Sequence, residues 1–245
     1  MKLSELYRKG LGMKRKLLHP FCTAVIVAAG NGTRMGGTDK MLVKIAGRSV
    51  ICRTLEAFDR HPLIDEIIVA AREDQLDEIS RICSHFEKVT MVVRGGENRM
   101  ESVAAGLSAV QKKTKIVAVH DGARPLVTEE VITKAVEKAA KFGAAAPAIP
   151  VKDTIKVSLH GSIDATPKRK NLYAVQTPQC FDADLLRAAL ENARAKNLSV
   201  TDDCSAVEAI GMKVNLTDGS EENLKITTAL DLQMAELILK KRAEA

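Results

Sequence analysis

The sequence predicts an α/β fold built on a doubly wound, mostly parallel sheet. Short apolar, β-branched runs recur at residues 23–27, 67–70, 89–93 and 116–120. Amphipathic stretches with helical period lie between and after them, at 50–58, 74–86, 102–110 and 131–142. Turn or polar residues flank each short run, as expected for strands buried on both faces of a parallel sheet. Strand–helix alternation at this spacing implies βαβ units.

The rhythm changes after Pro150. Residues 151–177 read as extended, polar and turn-rich, with two strand-like pieces around Gly161 that suggest a hairpin or arm. A helix is expected near 184–196, another from Asp203 to Gly211, and a last strand near 212–216. A final helix begins near Ala229, where Thr228 and Asp231 form a variant of the capping box.

Composition narrows the function classes. Of 245 residues, 46% are apolar and 28% charged, which excludes a disordered or fibrous chain. No apolar run approaches the ~18 residues of a membrane-spanning helix, so no membrane partner is expected. The formal charge of +6 is concentrated at the start: six basic residues against Glu5 leave +5 in residues 1–20, and the other 225 share +1. With 2 Tyr, 5 Phe and no Trp, the chain lacks stacking platforms for bases, and a nucleic-acid partner is not expected. Five scattered cysteines form no CxxC pair, which suits a reducing cytoplasm and not a disulfide framework or a zinc site. Residues 1–20 read as a basic extension, dispensable for the fold, in which Met13 is an alternative start. Residues 21–245 read as one domain that includes the arm at about 151–177.

The segment AVIVAAGNGTRMGGTDK (24–40) directly follows the first strand. It is not a dinucleotide fingerprint, because Met35 stands where G-x-G-x-x-G needs its third glycine. It is not a P-loop, because Thr38 occupies the lysine position after Gly32 and Gly37. What remains is a glycine-rich turn at a strand's carboxyl end, where α/β sheets bind ligands. Its backbone N–H groups, with Arg34 and Lys40, suit a triphosphate. RGGENRMES (94–102) and HDGARP (120–125) follow later strands. Loops at these ends converge, so Arg34, Lys40, Arg99, Ser102, Asp121 and Arg124 are placed to share one cleft. Taken singly, each also reads as a solvated loop residue, and Arg124 as a salt-bridge partner of Asp121.

AAGNGTRM, GGENRMESV, HDGARP, PVKDTIK, QTPQCF, TDDCSAVE and ENLKITT occur in this order over roughly residues 22–240. The first alone marks nucleotidyltransferases at large. The set resembles the 2-C-methyl-D-erythritol 4-phosphate cytidylyltransferase family, CTP-using enzymes of non-mevalonate isoprenoid synthesis. Ribitol-5-phosphate cytidylyltransferases are the near alternative, and a nucleotide-binding protein without catalysis is a more distant one. The resemblance implies a Rossmann-like fold of the nucleotide-diphospho-sugar transferase type, with a protruding β-arm that embraces a second subunit in a homodimer.

By the same resemblance, Ala28, Ala29, Gly30 and Gly32 hold the CTP phosphates. Arg34 and Lys40 stabilise the transition state, and Gly96, Ser102, Asp121 and Gly122 recognise base and ribose, with Arg99 on the nucleotide side. Arg169 and Lys225 position the sugar-alcohol phosphate, with Thr177 and Arg124 on the substrate side. Mg²⁺ is implied as a cofactor held mainly through the CTP phosphates, with no protein ligand assigned. The chain departs from the family pattern in a shorter Arg34–Lys40 interval, in Met41 where Gln is common, and in Gly122 where Ala is common. An anionic phosphate attacking phosphorus needs no Ser, Cys or His nucleophile, and positioning and charge stabilisation carry such a reaction.

Overall fold

A computed structural model describes residues 19–30 and 39–244. Strand β1 (Cys22–Ala28) runs through the middle of the sheet. A small hairpin, β2 (Lys44–Ile45) and β3 (Arg48–Ser49), leads into α1 (Val50–Asp59), whose cap Ser49 accepts the Cys52 N–H. Then come β4 (Glu66–Ala71), α2 (Leu76–Cys83), β5 (Val89–Arg94), α3 (Arg99–Ala109) and β6 (Ile116–Asp121). Their strands form a parallel block in the order β6-β1-β4-β5.

Helix α4 (Glu129–Phe142) is capped by Thr128 and stopped by Gly143 at φ 85°, a left-handed position that favours glycine. Strand β7 (Ala144–Pro150) follows. The chain leaves the sheet for a hairpin, β8 (Val157–Leu159) and β9 (Ser162–Ala165), and returns as β10 (Tyr173–Val175) and β11 (Gln179–Asp182). Residues 176–178 interrupt these last two, and both run antiparallel to β7. The other edge of β7 takes β12 (Asn215–Asp218) in parallel. Before β12 lie α5 (Ala183–Ala195) and α6 (Asp203–Glu208), and α7 (Ala229–Glu244) ends the described chain. The parallel block is thus extended by an antiparallel pairing of β11 with β6.

Both faces of the sheet are covered, and the two-residue period of β1 shows how. Ala24, Ile26 and Ala28 join a core with α1, α2 and α4, through Phe58, Ile79 and Ile132. Val25 joins the opposite core with α3, α5 and α6, through Val103, Leu186 and Val207. This is the doubly wound arrangement that the alternating pattern predicts.

Boundaries move where the caps decide. Helices α3 and α4 start earlier than their first apolar residues, because Asn98 and Thr128 accept the Glu101 and Val131 N–H groups. The expected helix at 74–86 is α2 preceded by a 3₁₀ turn at Glu73–Gln75. Helix α6 ends at Glu208, short of Gly211, and the last strand lies at 215–218 instead of 212–216. The local sequence predicts neither β7 nor β11. The first reads AAAPAIP, whose alanines have weak strand propensity and whose prolines cannot donate to a ladder. The second is four residues long and merges into a helix. The hairpin expected around Gly161 is present, turning through His160 at φ 49° and Gly161 at φ 82°.

Candidate active site

In the order β6-β1-β4-β5 the chain moves outward from β1 through β4 to β5, then crosses back to the other side of β1 at β6. That reversal opens a crevice at the carboxyl ends of β1 and β6, the expected ligand position in an open α/β sheet. A cleft of about 160 Å³ lies there, lined among others by Ala29, Gly30, Lys40, Gly96, Arg99, Ser102, Asp121 and Lys225.

Each side chain reaches the cleft for a local reason. Lys40 follows Asp39, whose carboxylate accepts the Met41 N–H at 2.8 Å and an amide N–H of Gln75, pinning the turn against the sheet. The Lys40 ammonium lies 3.5 Å from the space a Cβ on Gly30 would occupy. Ser102 sits in the first turn of α3, where its Oγ accepts the Gly96 N–H at 3.1 Å and donates to Asn98 O at 2.9 Å. A Cβ on Gly96 would fall 2.1 Å from the Glu101 Cβ, so only glycine fits that approach. Lys225 is brought in by a backbone bond from Ile226 N–H to Ala123 O at 2.8 Å.

Asp121, at the end of β6 and 7% exposed, anchors the charges. Its carboxylate pairs with Lys225 at 2.9 Å, and with Arg99 and Arg124 at 3.4 Å each. Burial alone would raise its pKa, but Lys225, Arg99 and Arg124 outweigh burial and hold it well below the usual carboxylate range. Arg99 also pairs with Asp203 at 2.8 Å, across from α6. Asp203 is 1% exposed, and its burial pushes its carboxyl up despite Arg99.

Behind Asp121 lies a buried polar network. Thr177 Oγ1 accepts the Asp121 N–H at 3.1 Å and contacts His120 Nδ1 at 3.0 Å. Arg124 Nη1 donates to Asn223 O at 2.7 Å, and Asn223 Nδ2 donates to Thr177 O at 2.9 Å. The segments HDGARP, QTPQCF and ENLKITT are thereby tied into one unit.

The structure therefore gathers Ala29, Gly30, Lys40, Gly96, Arg99, Ser102, Asp121 and Lys225 in one cleft. Ala28 is buried at the end of β1, and Gly122 N–H bonds Val27 O at 2.9 Å beneath the cleft wall. Arg124 and Thr177 stand in the network behind Asp121. Arg169 lies in the arm and donates to Lys152 O at 2.9 Å, outside the lining of this cleft. Gly32 and Arg34 lie outside the described residues. Two departures from the family pattern meet, since a Cβ on Gly122 would lie 3.3 Å from Met41 Sδ. His120, Asp203 and Asn223 lie inside the motifs, yet nothing in the sequence alone gives them a role. Their signal is pairing across distant segments, which no single segment carries.

The residues of the cleft and the motifs that supply them can be set beside known proteins. The family model described as 2-C-methyl-D-erythritol 4-phosphate cytidylyltransferase matches residues 22–241. A protein of that name from Symbiobacterium thermophilum is 45% identical over 223 residues, covering 90% of this chain and 94% of its own. One from Desulforamulus reducens is 43% identical over 224 residues, covering 89% and 96%. The crystal structure of a 4-diphosphocytidyl-2C-methyl-D-erythritol synthase from Anaerococcus prevotii superposes with a TM-score of 0.82 at 34% identity, covering 90% of this chain and 96% of that one. With the seven motifs in order, the fold matched and four of the motifs lining one cleft, the chain belongs to the 2-C-methyl-D-erythritol 4-phosphate cytidylyltransferase family.

Proposed function

We propose that this chain transfers the cytidylyl group of CTP to 2-C-methyl-D-erythritol 4-phosphate and releases pyrophosphate, a step of isoprenoid precursor synthesis. The observation that carries the residue assignment is the convergence of Lys40 and Lys225 on one cleft floored by Asp121. An oxygen of the acceptor phosphate attacks the α-phosphorus of CTP in line. A new P–O bond forms as the bond to the β-phosphate oxygen breaks, and that electron pair leaves with pyrophosphate. Two polyanions must be held together, which is a task for fixed cations.

In this reading Lys40, Arg34 and the Gly30 turn cradle the triphosphate, and Lys225 receives the acceptor phosphate. Gly96 and Ser102 border the base, and Asp121 faces the ribose. Magnesium fits the donor set as an ion held chiefly by phosphate oxygens. Among the described residues no three His, Cys, Asp or Glu side chains form a metal cluster. Magnesium bound with phosphates needs at most one or two protein carboxylates, so the phosphate oxygens supply the main ligands in this reading. When bound, the ion neutralises phosphate charge.

The arm completes the reading. Ile155, Val157, Leu159 and Ile163 are all exposed on it, and such a hairpin is marginal alone. We place it in a homodimer, with Arg169 serving the partner's cleft. All five cysteines are free, which suits a reducing cytoplasm, and no helix among the described residues is long and apolar enough to cross a membrane.

Pyrophosphate release with CTP and the methylerythritol acceptor tests the assignment, with ribitol 5-phosphate and UTP as controls. Buried polar groups left unpaired by the wrong base should favour CTP over UTP by ~10⁴ in kcat/KM. Comparable use of both nucleotides, or preference for the ribitol acceptor, would overturn it.

A further inference from the structure

His120 is fully buried between β6 and α1, with its ring 4.7 Å from that of Phe58 and tilted by 51°. Its two nitrogens have different partners. Nε2 lies 3.1 Å from the Arg124 carbonyl oxygen, which can only accept, so Nε2 carries the hydrogen. Burial pushes the imidazole down to about 4, so the ring is neutral and Nδ1 is bare. The only hydrogen available between Nδ1 and Thr177 Oγ1, 3.0 Å apart, is the threonine's own. Thr177 therefore donates to His120 and accepts the Asp121 N–H at 3.1 Å.

We infer that His120 is a positioning residue of the cleft, locking Thr177 as a hydrogen-bond acceptor and, through it, holding the backbone of Asp121. This rests on the cytidylyl-transfer reading of the cleft. Its chemical content is specific. A threonine whose proton is committed cannot donate to a phosphate oxygen. What it still offers is a lone pair, and the Asp121 N–H takes it. The same ring ties the Arg124 carbonyl to Thr177, so a single imidazole keeps in register the loop after β6 and the junction before β11. Asp121, which gathers Lys225, Arg99 and Arg124, stands between them.

The test separates this orientation from simple packing. His120→Phe keeps the ring's shape and its contact with Phe58 but removes both polar contacts. His120→Asn is smaller and packs less well, but its side-chain oxygen restores an acceptor near the Nδ1 position. Both are compared with wild type in thermal melts and in pyrophosphate release with CTP and 2-C-methyl-D-erythritol 4-phosphate. We expect Phe to melt higher than Asn yet lose ~100-fold in kcat/KM for the acceptor, while Asn regains at least ~10-fold of that loss. A purely structural role would rank activity with stability, so Phe as active as Asn or better overturns the inference. If His120→Asn does not fold, the other end of the bond decides. Thr177→Ser should stay within ~5-fold of wild type and Thr177→Val should fall with His120→Phe. Equal activity of Ser and Val overturns it. The double variant His120→Phe, Thr177→Val should be no worse than the poorer single variant, because both break one interaction; an additive loss overturns it. A wild-type protein inactive with CTP removes the cytidylyl reading and this inference together, whereas an active wild type with the wrong variant order removes this inference alone.

Discussion

Asp121 is one carboxylate shared by three cations at the floor of the cleft. It holds Lys225, Arg99 and Arg124 close together before any ligand neutralises them. Asp121→Asn leaves that cluster without its counter-charge, and losing one partner of a buried ion pair costs about 3–5 kcal/mol. We expect a clear drop in melting temperature together with loss of turnover. Lys40→Ala contrasts with this, because in the proposed reaction it removes a cation of the triphosphate cradle and leaves the ion pairs of Asp121 in place. It should lower kcat at least ~100-fold with a small change in melting temperature, whereas Lys225→Met should lower both, because Lys225 is also the nearest partner of Asp121. Turnover within a few-fold of wild type in both would sink the phosphate roles.

The acid side of the stability curve belongs to His120 and Asp121. The His120 pKa falls from 6.5 to about 4 on folding, so below 6.5 the unfolded chain takes a proton that the native ring refuses. That stability is present above 6.5 and lost as pH falls to about 4, a loss of about 3 kcal/mol. Asp121 is depressed in the fold, so its contribution persists to the usual carboxylate value of 3.8 and is lost below it. Asp203 is raised and works in the opposite sense, gaining stability on acidification near that value. Thermal melts between pH 7 and pH 4.5 should therefore fall in wild type and flatten in His120→Phe. Equal slopes would show that another group carries the acid sensitivity.

Among the elements, the arm behaves unlike the rest. Strands β8 and β9 pair only with each other, and every residue of both is exposed, with Ile163 at 67% and Leu159 at 57%. Apolar side chains on an isolated hairpin gain by covering a second copy, and in a two-fold dimer the exchange is reciprocal. If Arg169 serves the partner's cleft, unfolding Arg34→Ala and Arg169→Ala chains together and refolding them gives mixed dimers with one intact site. With random pairing, about a quarter of wild-type activity should return. No recovery would mean that Arg169 acts within its own chain.

For the molecule as a whole, the expected state in solution is a dimer closed by the two arms. Sedimentation or gel filtration should show twice the chain mass. Leu159→Asp with Ile163→Asp should return monomers that keep their helical circular dichroism and lose activity. Active monomers would separate catalysis from assembly.

The alternation of apolar strands with amphipathic helices was legible in the chain because each buried face imposes its own period, two for β1 and 3.6 for α4. The turn at His160-Gly161 and the Thr228–Asp231 cap were legible for the same local reason, as a few adjacent residues carry the whole constraint. The cap is present as bonds from Asp231 N–H to Thr228 Oγ1 at 3.3 Å and from Thr228 N–H to Asp231 Oδ2 at 2.7 Å. Strand β7 was illegible, because AAAPAIP is a strand only while β10, β11 and β12 pair with its edges. Candidate site residues such as Lys40, Ser102 and Asp121 stood out as charged or polar groups beside glycines at strand ends. Their sharing of one cleft followed from those strand ends, and the Asp121–Arg124 pair from their closeness in the chain, but the long-range pairings did not. That Asp121 faces Lys225, that Arg99 reaches Asp203, and that His120 holds Thr177 depend on crossovers and on the strand order around β1. Those contacts join residues far apart in the chain, and only burial of the sheet's two faces brings them together.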